Sequence, residues 1–297
     1  MLKTRRFILQ TTAAALTASP PLALASPGSD KAFGGAALGH AIRQAEVASL
    51  GRLGVSVLDT ANGARFAWRG DERFPLCSTF KFLLCAAILS EVDAGRERLD
   101  RAVPIAAADL TGNSPVTGRH VGPQGLPVSA LCEAAIIWSD NAAANLLLPI
   151  IDGPAGLTRY ARALGDLQTR LDRNEPTLNE AIPGDPRDTT TPNAMLADLD
   201  RVLLGEALLP ASKQRLIGWL IDCRTGGARL RAGAPPGWRI GDKTGTGRRG
   251  STNDIAVLSP PRRAALIVTA YLTNTEASPQ TCDAALAAVG RAVAAAI

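Results

Sequence analysis

The segment Phe74–Leu89 constrains the fold more than any other part of the chain, because it combines a long apolar run with a serine and a lysine near its start. It reads FPLCSTFKFLLCAAIL, and Phe82–Leu89 contains only apolar residues. A helix that is apolar on every side has to be buried, so we expect the rest of the chain to surround this one. Ser78 and Lys81 lie three residues apart and would share a face at its first turn.

A serine and a lysine at this spacing can form a nucleophile and its base. A serine hydroxyl reacts poorly until a neighbour removes its proton, and a desolvated lysine can do so. The N–H groups of the first helical turn would also face an oxyanion that forms there. The alternative is structural: Ser78 caps the helix and Lys81 is an ordinary first-turn residue.

The order of predicted elements indicates an α+β fold. Strand-like runs at 55–58 and 65–68 flank Asn62-Gly63, which is a strong hairpin signal. A mostly helical stretch follows to about Asp222, and three further strands precede a C-terminal helix. We therefore expect one antiparallel sheet, flanked by N- and C-terminal helices, with an all-α domain inserted into it. The predicted boundaries are 26–69 plus 222–297 for the α/β domain and 70–221 for the helical domain.

The first 25 residues predict a signal peptide. Met1–Arg6 is basic, Phe7–Ala18 is mildly apolar, and Ala23-Leu24-Ala25 is a cleavage site of the A-x-A type. Thr4–Leu9 resembles a twin-arginine export signal, although a general secretory signal fits nearly as well. No later segment is long and apolar enough to span a bilayer. The mature protein is therefore expected to be periplasmic or secreted and free of the membrane.

The charge of the chain argues against a nucleic-acid partner. The whole chain has 32 basic and 27 acidic side chains, and three of the basic ones belong to the leader, which has no acidic residue. The remaining excess of positive charge is small and scattered, whereas a nucleic-acid-binding face is strongly basic.

The cysteines and histidines predict no metal site. The five cysteines show no C-x-x-C spacing and no paired histidines accompany them. Export permits disulfides, and Cys85 and Cys132 both lie in apolar helical patterns that such a bond could join. An odd number leaves at least one thiol free. His40 and His120 are interpreted as structural residues.

One glycine-rich motif matches a dinucleotide-binding pattern but lacks the structural context that this pattern requires. Gly245–Gly250 fits G-x-G-x-x-G, which binds dinucleotides when it lies between a strand and a helix. Here Ser251–Leu258 has the pattern of a second strand, so the glycines are interpreted as a hairpin turn and no nucleotide cofactor is expected.

Three further clusters carry polar groups suited to catalysis. Ser139-Asp140-Asn141 lies between two helical runs, and Glu175–Asn179 lies in an irregular stretch that is rich in charge and proline. Lys243–Thr246 ends a strand, where Gly245 would let another backbone or a ligand approach closely. Each has a structural alternative, namely a helix cap, an exposed loop carboxylate and a solvated lysine. Their joint occurrence in this order favours a shared site.

S-x-x-K, S-D-N and K-T-G in this order are the signature of class A β-lactamases and penicillin-binding proteins. The chain resembles a class A serine β-lactamase over Arg52–Ile297, and the Glu175–Asn179 element is typical of the lactamases rather than the transpeptidases. The resemblance implies an all-helical domain inserted into an α/β domain, with the active site in the cleft between them. It also implies a monomer that hydrolyses penicillins and cephalosporins without a metal or cofactor.

The resemblance assigns roles to the first two clusters. Ser78 would be the nucleophile, and the backbone N–H groups of Ser78 and Thr246 would form the oxyanion hole. Lys81 would relay a proton, and either Lys81 or Glu175 acting through water would be the base for acylation. Ser139 would pass the proton to the leaving ring nitrogen, while Asn141 would bind the substrate's side-chain amide and brace Lys81.

The remaining clusters would bind the substrate carboxylate and drive hydrolysis. Glu175 and Asn179 would fix the water that attacks the acyl-enzyme. An ion pair between Arg173 and Asp188 would tie the neck of the loop, and the bond to Pro176 would be cis. The resemblance gives the substrate carboxylate the following partners: Lys243, Thr244, Gly245 and Thr246 on one strand and Arg229 on a neighbouring segment.

Some positions depart from the family pattern. Thr252 stands where many relatives have an arginine, and Arg229 matches the arginine that other relatives use instead. Asn113 stands where relatives usually place an aromatic residue beside the cleft. Cys77 precedes the nucleophile as in carbapenem-hydrolysing relatives, but Gly247 replaces the cysteine that would pair with it, so carbapenem hydrolysis is not inferred. A further pair, Cys85 and Cys132, matches a disulfide found in some penicillin-hydrolysing members.

Two other functions fit parts of the pattern. A penicillin-binding DD-peptidase would share the three motifs, but the Glu175–Asn179 element argues against it. A non-enzymatic β-lactam sensor domain would be acylated and would signal, but it should be tethered to a transmembrane helix, which the sequence lacks. Turnover of penicillin, as opposed to stoichiometric trapping, discriminates the hydrolase from both.

Overall fold

The computed structural model of the chain describes residues 32–297. The predicted signal peptide, residues 1–25, lies outside the described residues. The strands, in chain order, are β1 Arg52–Asp59, β2 Arg65–Trp68, β3 Phe74–Pro75, β4 Ala102–Ile105, β5 Gly122–Pro127, β6 Thr189–Thr190, β7 Arg239–Thr246, β8 Thr252–Ser259 and β9 Leu266–Thr273. The helices are α1 Gly35–Ser49, α2 Phe80–Asp93, α3 Val128–Ile137, α4 Asn141–Leu147, α5 Gly153–Ala163, α6 Pro192–Leu203, α7 Pro210–Ile221, α8 Leu230–Gly233 and α9 Pro279–Ala294.

Five strands form one antiparallel sheet in the order β2-β1-β9-β8-β7. Its first hairpin turns at Asn62-Gly63, as predicted: the Asn62 side chain accepts from the Ala64 N–H at 2.8 Å, and Gly63 has φ 75°. That left-handed conformation favours glycine. The sheet therefore combines strands from both ends of the described chain.

The two faces of the sheet carry different cores. Along β1, Leu53, Val55 and Val57 alternate with residues that face the other way, as the twofold period of a strand requires. These three pack in the core that contains residues of α1 and α9. Leu58 and Tyr271 belong instead to the core that is built on the helices of the middle of the chain. The predicted α+β architecture is thereby confirmed.

Helix α2 lies at the centre of the second core. Its residues from Phe80 to Leu89 are at most 3% exposed, as expected for a helix that is apolar on every side. Within the part of the chain that the structure describes, no helix is both long and apolar enough to cross a membrane. The division into domains at residues 70 and 221 stays a prediction.

Candidate active site

The nucleophile candidate lies in a tight turn that leads into α2. Cys77, Ser78 and Thr79 form one turn of 3-10 helix, and α2 begins at Phe80. Cys77 has φ 43°, a strained conformation for a residue with a side chain, and such strain is often stored at functional sites. Ser78 is 8% exposed and Lys81, in the first turn of α2, is fully buried. The predicted proximity of hydroxyl and ammonium is therefore present.

The Lys81 amine is surrounded by acceptors from three of the four clusters. Its Nζ lies 2.9 Å from Ser78 Oγ, 2.6 Å from Asn141 Oδ1, 2.9 Å from the Ser139 carbonyl oxygen and 3.0 Å from Glu175 Oε1. An ammonium has three protons for these four acceptors. Burial lowers the pKa of Lys81, although the Glu175 carboxylate opposes this shift. Burial has the larger effect, so this amine holds its proton less tightly than a solvated lysine does.

Glu175 points at the same hydroxyl. Its Oε1 accepts a hydrogen bond from Ser78 Oγ at 3.3 Å, and its Oε2 accepts from Asn179 Nδ2 at 2.5 Å. The other side-chain atom of Asn179, Oδ1, is buried and has no hydrogen-bond partner among residues 32–297. Glu175 is itself 5% exposed. The Glu175 carboxylate therefore joins the Ser78 hydroxyl to the Asn179 side-chain amide.

The backbone of Glu175 is clamped by a residue that the sequence motifs did not reveal. Asn145, on α4, donates its amide to the Glu175 carbonyl oxygen at 2.9 Å and accepts from the Glu175 N–H at 3.0 Å. The peptide bond from Glu175 to Pro176 is cis, as expected. Asn145 lies one helical turn after Asn141, and this spacing was the only signal that could have indicated it.

The neck of the loop is closed by a buried carboxylate. Asp188 is 1% exposed and accepts hydrogen bonds from the backbone N–H groups of Asp172 and Arg173 at 2.7 and 2.9 Å. Arg173 Nε donates to Asp188 Oδ2 at 2.6 Å, and Nη1 donates to Glu180 inside the loop. The predicted pairing of Arg173 with Asp188 is therefore present, and it joins both ends of the loop that carries Glu175.

Ser139 and Asp140 have different tasks. Asp140 is fully buried and caps α4 by accepting from the Ala143 N–H at 2.9 Å. It also accepts from the N–H groups of Val116 and Thr117, each at 3.0 Å, so it holds two segments together. The structural alternative thus applies to Asp140. Ser139, with φ 57°, turns its hydroxyl toward the site, where it lies 3.0 Å from the Lys243 amine.

Strand β7 brings the K-T-G cluster to the same place. Lys243 Nζ is buried and donates to Ser139 Oγ at 3.0 Å and to the Thr244 carbonyl oxygen at 2.7 Å. Burial, reinforced by the nearby Lys81 charge, lowers the pKa of Lys243 to about 8. A Cβ at Gly245 would lie 3.0 Å from the Leu76 carbonyl oxygen, so glycine permits the strand to approach the nucleophile turn.

Arg229 supplies the cation beside this strand. Its Nη2 donates to Thr246 Oγ1 at 2.8 Å, and its Nη1 donates to the carbonyl oxygens of Gly245 and Asn253. Asp283, at the start of α9, orients the guanidinium by accepting from Nε at 2.8 Å. Because Asp283 lies far along the chain and in no motif, sequence reasoning missed it.

Three departures from the family pattern have clear positions. The Asn113 amide donates to the Trp138 carbonyl oxygen at 3.0 Å. Thr252 donates to the Gly250 carbonyl oxygen at 3.2 Å. Gly247 lies against Cys77: a Cβ added there would be 2.6 Å from the Cys77 sulfur. Both histidines, His40 and His120, are exposed, and neither contributes a hydrogen bond to the site.

The predicted disulfide between Cys85 and Cys132 is not formed. All five cysteines are free and buried, and the Cys85 thiol donates to the Cys132 carbonyl oxygen at 3.6 Å. Burial raises the pKa of Cys132 well above its usual value. A disulfide requires the two sulfurs to meet in a specific geometry, and here the Cys85 sulfur is directed at the Cys132 backbone carbonyl oxygen instead.

Comparisons with known proteins agree with this geometry. The family model described as the β-lactamase enzyme family matches residues 37–297. The β-lactamase L2 of Stenotrophomonas maltophilia is 47% identical over 298 residues, which cover 98% of each chain. A reconstructed ancestral class A β-lactamase is 59% identical with a TM-score of 0.86, over 88% of this chain and all of the other. The structure described as the putative class A β-lactamase PenP of Rhodopseudomonas palustris is 56% identical, also at 0.86, over 88% of this chain and 100% of the other. The chain therefore belongs to the class A serine β-lactamases.

Proposed function

We propose that this β-lactamase opens the lactam ring through an ester on Ser78 and that Glu175 activates the water that hydrolyses the ester. The observation that carries the proposal is the position of Glu175, whose buried carboxylate lies 3.3 Å from Ser78 Oγ and is held by Asn179 and Asn145. A general base has to lie within hydrogen-bond reach of the proton that it removes, directly or through one water. Glu175 meets this requirement for a water beside the Ser78 ester.

In the acylation step, Ser78 Oγ attacks the lactam carbonyl carbon and loses its proton to Lys81, or to Glu175 through a water. The lowered pKa of Lys81 supports the first route and the nearby carboxylate supports the second. The C–N bond then breaks, and Ser139 gives its proton to the ring nitrogen and takes another from the Lys81 ammonium, which lies 3.5 Å away. Ser139 suits this role because its hydroxyl lies 3.0 Å from the Lys243 amine and 3.5 Å from the Lys81 amine.

The oxyanion that forms in each step would be held by the backbone N–H groups of Ser78 and Thr246. The close approach of β7 to the nucleophile turn at Gly245 supports this pairing. Losing one such donor typically costs about 3–4 kcal/mol of transition-state stabilisation.

Deacylation uses the Glu175 carboxylate and the side-chain amide of Asn179. Asn179 Oδ1 is a buried acceptor without a protein partner in the described chain, and Glu175 lies beside it. A water that donates to both would be oriented toward the Ser78 ester. One of its protons goes to Glu175 as its oxygen bonds to the acyl carbon. The bond between that carbon and Ser78 Oγ then breaks, Oγ takes the proton from Glu175, and the penicilloate-type acid leaves.

The substrate carboxylate would bind to Lys243, Thr244 and Thr246, with Arg229 behind them, and Asn141 would bind the side-chain amide. Penicillins and cephalosporins share this carboxylate and amide, and we propose both as substrates. The experiment that tests the function is a nitrocefin time course with the purified mature chain. Sustained turnover supports a hydrolase, whereas release of one equivalent followed by arrest would indicate a DD-peptidase or a sensor that stays acylated.

The pH dependence of binding gives a separate test. Lys243 is charged below its lowered pKa of about 8 and neutral above it, so its pairing with the substrate carboxylate is lost as the pH rises. We expect kcat/KM for benzylpenicillin to fall above about pH 8, since this parameter reports the free enzyme. The corresponding fall in kcat should occur at higher pH, because the bound substrate carboxylate raises the pKa of Lys243.

Benzylpenicillin methyl ester is the control for this profile. It lacks the anionic partner of Lys243, so its kcat/KM should not show the same alkaline limb. An identical limb for acid and ester, or no difference between kcat and kcat/KM, would contradict the assignment of Lys243 to carboxylate binding.

Replacing Arg173 with alanine is expected to slow deacylation more than acylation. The change removes the cation beside the buried Asp188 and frees the neck of the loop, while Ser78 and Lys81 lie on other elements. A misplacement of Glu175 by about 1 Å would lower the deacylation rate by roughly a hundredfold. Stopped-flow kinetics with mass detection of the acyl-enzyme separates the two steps. Arg173→Lys, which keeps the charge, should lose less of the deacylation rate than Arg173→Ala. Normal deacylation with weaker initial binding in Arg173→Ala would contradict the role of Arg173 in holding the loop that carries Glu175.

We propose three further properties that rest on the sequence. Residues 1–25 act as a signal peptide, either of the twin-arginine type that Thr4–Leu9 resembles or of the general secretory type, and it delivers the mature chain to the periplasm or the medium. The mature chain acts as a monomer, as its resemblance to the class A β-lactamases implies. The helical part, 70–221, and the α/β part, 26–69 plus 222–297, form two domains, and both contribute residues to the candidate site.

A further inference from the structure

A short series of hydrogen bonds leads from the end of α7 to the strand that carries K-T-G. Cys223 Sγ lies 3.3 Å from Thr225 Oγ1, which lies 2.5 Å from Thr244 Oγ1. Cys223 and Thr244 are buried at 6% and 4% exposure, whereas Thr225 is exposed. The chemistry proposed above uses Thr244 but neither of the other two side chains.

The backbone fixes Thr225 beside Thr244. The next residue, Gly226, lies so close to the Asp242 side chain on β7 that a Cβ there would overlap its carboxylate oxygen. The preceding residue, Arg224, donates its N–H to the Ile137 carbonyl oxygen at 3.0 Å. The segment is therefore held on both sides of Thr225, and the short contact to Thr244 is a built feature of the site.

Counting protons gives these bonds a direction. A carboxylate only accepts hydrogen bonds, and a threonine hydroxyl has one proton to donate. If Thr244 donates to a substrate carboxylate, it has to accept from Thr225, which in turn has to accept from Cys223. Burial raises the pKa of the Cys223 thiol, so this thiol keeps the proton that it would donate. Thr246 is in a similar position, because Arg229 donates to its oxygen and leaves its own proton free.

We propose that Thr225, supported by Cys223, is a positioning residue that turns the Thr244 hydroxyl toward the carboxylate of the β-lactam. This inference rests on the proposed function. The three side chains form a relay in which each group accepts from the one before it, and only the last donor, Thr244, faces the substrate. A buried thiol that does not touch the substrate thereby contributes to the binding of its anionic group.

Thr225→Val tests the relay. The hydroxyl is lost and the shape is kept, so KM for benzylpenicillin should rise roughly fivefold, the effect of a weakened hydrogen bond to a charged group, while kcat stays within about twofold. Thr225→Ser should restore KM. Cys223→Ala should raise KM by about twofold, since a thiol is a weak donor, and Cys223→Ser should keep the native value.

The ester substrate separates positioning from general damage. Against benzylpenicillin methyl ester, Thr225→Val should change kcat/KM by less than about twofold, because the anionic acceptor is gone. Thr60→Val is the matched control, because it removes a hydroxyl that donates to the Ala265 carbonyl oxygen at 2.7 Å. It should leave KM and kcat unchanged for both benzylpenicillin and its methyl ester.

Several results would overturn the relay. One is an equal loss of kcat/KM for benzylpenicillin and its methyl ester in Thr225→Val, and another is failure of Thr225→Ser to restore KM. A third is an effect of Thr225→Val without any effect of Cys223→Ala, which would mean that Thr225 touches the substrate directly. If the native chain turned over no β-lactam, the proposed function itself would be wrong. Native turnover with unchanged variants would reject the relay alone.

Discussion

Replacing Glu175 with glutamine is expected to convert turnover into a single burst, with about one equivalent of nitrocefin opened per enzyme. Glutamine keeps the size of the side chain but cannot take a proton from water, so the ester on Ser78 persists. Loss of a general base lowers the rate of its step by roughly 10²- to 10⁴-fold. If Lys81 is the base for acylation, the acylation rate should fall less than the deacylation rate. Comparing the burst rate of Glu175→Gln with that of the native chain measures the change in acylation. Intact-protein mass spectrometry would show the accumulated adduct.

The control is Glu276→Gln, which makes the same change at an exposed position. It should turn over nitrocefin at the native rate. If Glu175→Gln sustained turnover at a comparable rate, the carboxylate would not be the base for deacylation. If instead it formed no adduct at all, Glu175 would be needed for acylation, and Lys81 could not be the sole base.

Ser78→Ala is expected to abolish the covalent adduct altogether. Without the hydroxyl no ester can form, and removal of a nucleophile typically lowers kcat by four orders of magnitude or more. Reversible binding of benzylpenicillin should remain, because Lys243, Thr244, Thr246 and Arg229 are unchanged. Mass spectrometry after incubation with penicillin, combined with equilibrium dialysis, measures both properties in one sample.

Ser90→Ala is the matched control, since Ser90 lies near the other end of the same helix. It should acylate and turn over normally. An adduct on Ser78→Ala, for instance on Ser139, would assign the nucleophile to a different hydroxyl and would undo the mechanism from its first step.

The elements that could be predicted from the sequence are those with a strong local pattern. The buried helix α2, the hairpin at Asn62-Gly63 and the three C-terminal strands were all indicated by periodicity and turn residues, and all are present. The two-residue strands β3 and β6 were missed, since they pair across more than a hundred residues and have no periodicity of their own. The predicted helix from Ser78 also begins later, because its first residues form a 3-10 turn.

The candidate site shows the same division. Motifs located the four clusters, and the fold brings them within hydrogen-bond distance of one another. Asn145, Asp283 and Thr225 were missed, since each is a single polar residue whose importance depends on a partner distant in the chain. The disulfide was predicted from a pattern of positions, but whether two thiols are joined depends on how the fold orients their sulfurs, and the Cys85 sulfur is directed at a backbone carbonyl oxygen.

The burial of Asp140 has a consequence for how such enzymes tolerate random mutation. One carboxylate caps α4 and ties down the segment at Val116 and Thr117, so its loss would leave several backbone donors unsatisfied in the interior. In a survival screen on antibiotic plates, position 140 would look as intolerant as the nucleophile. Variants at position 140 would not grow because too little folded enzyme accumulates. Variants at Ser78 would not grow because the enzyme, although present in normal amount, is inactive.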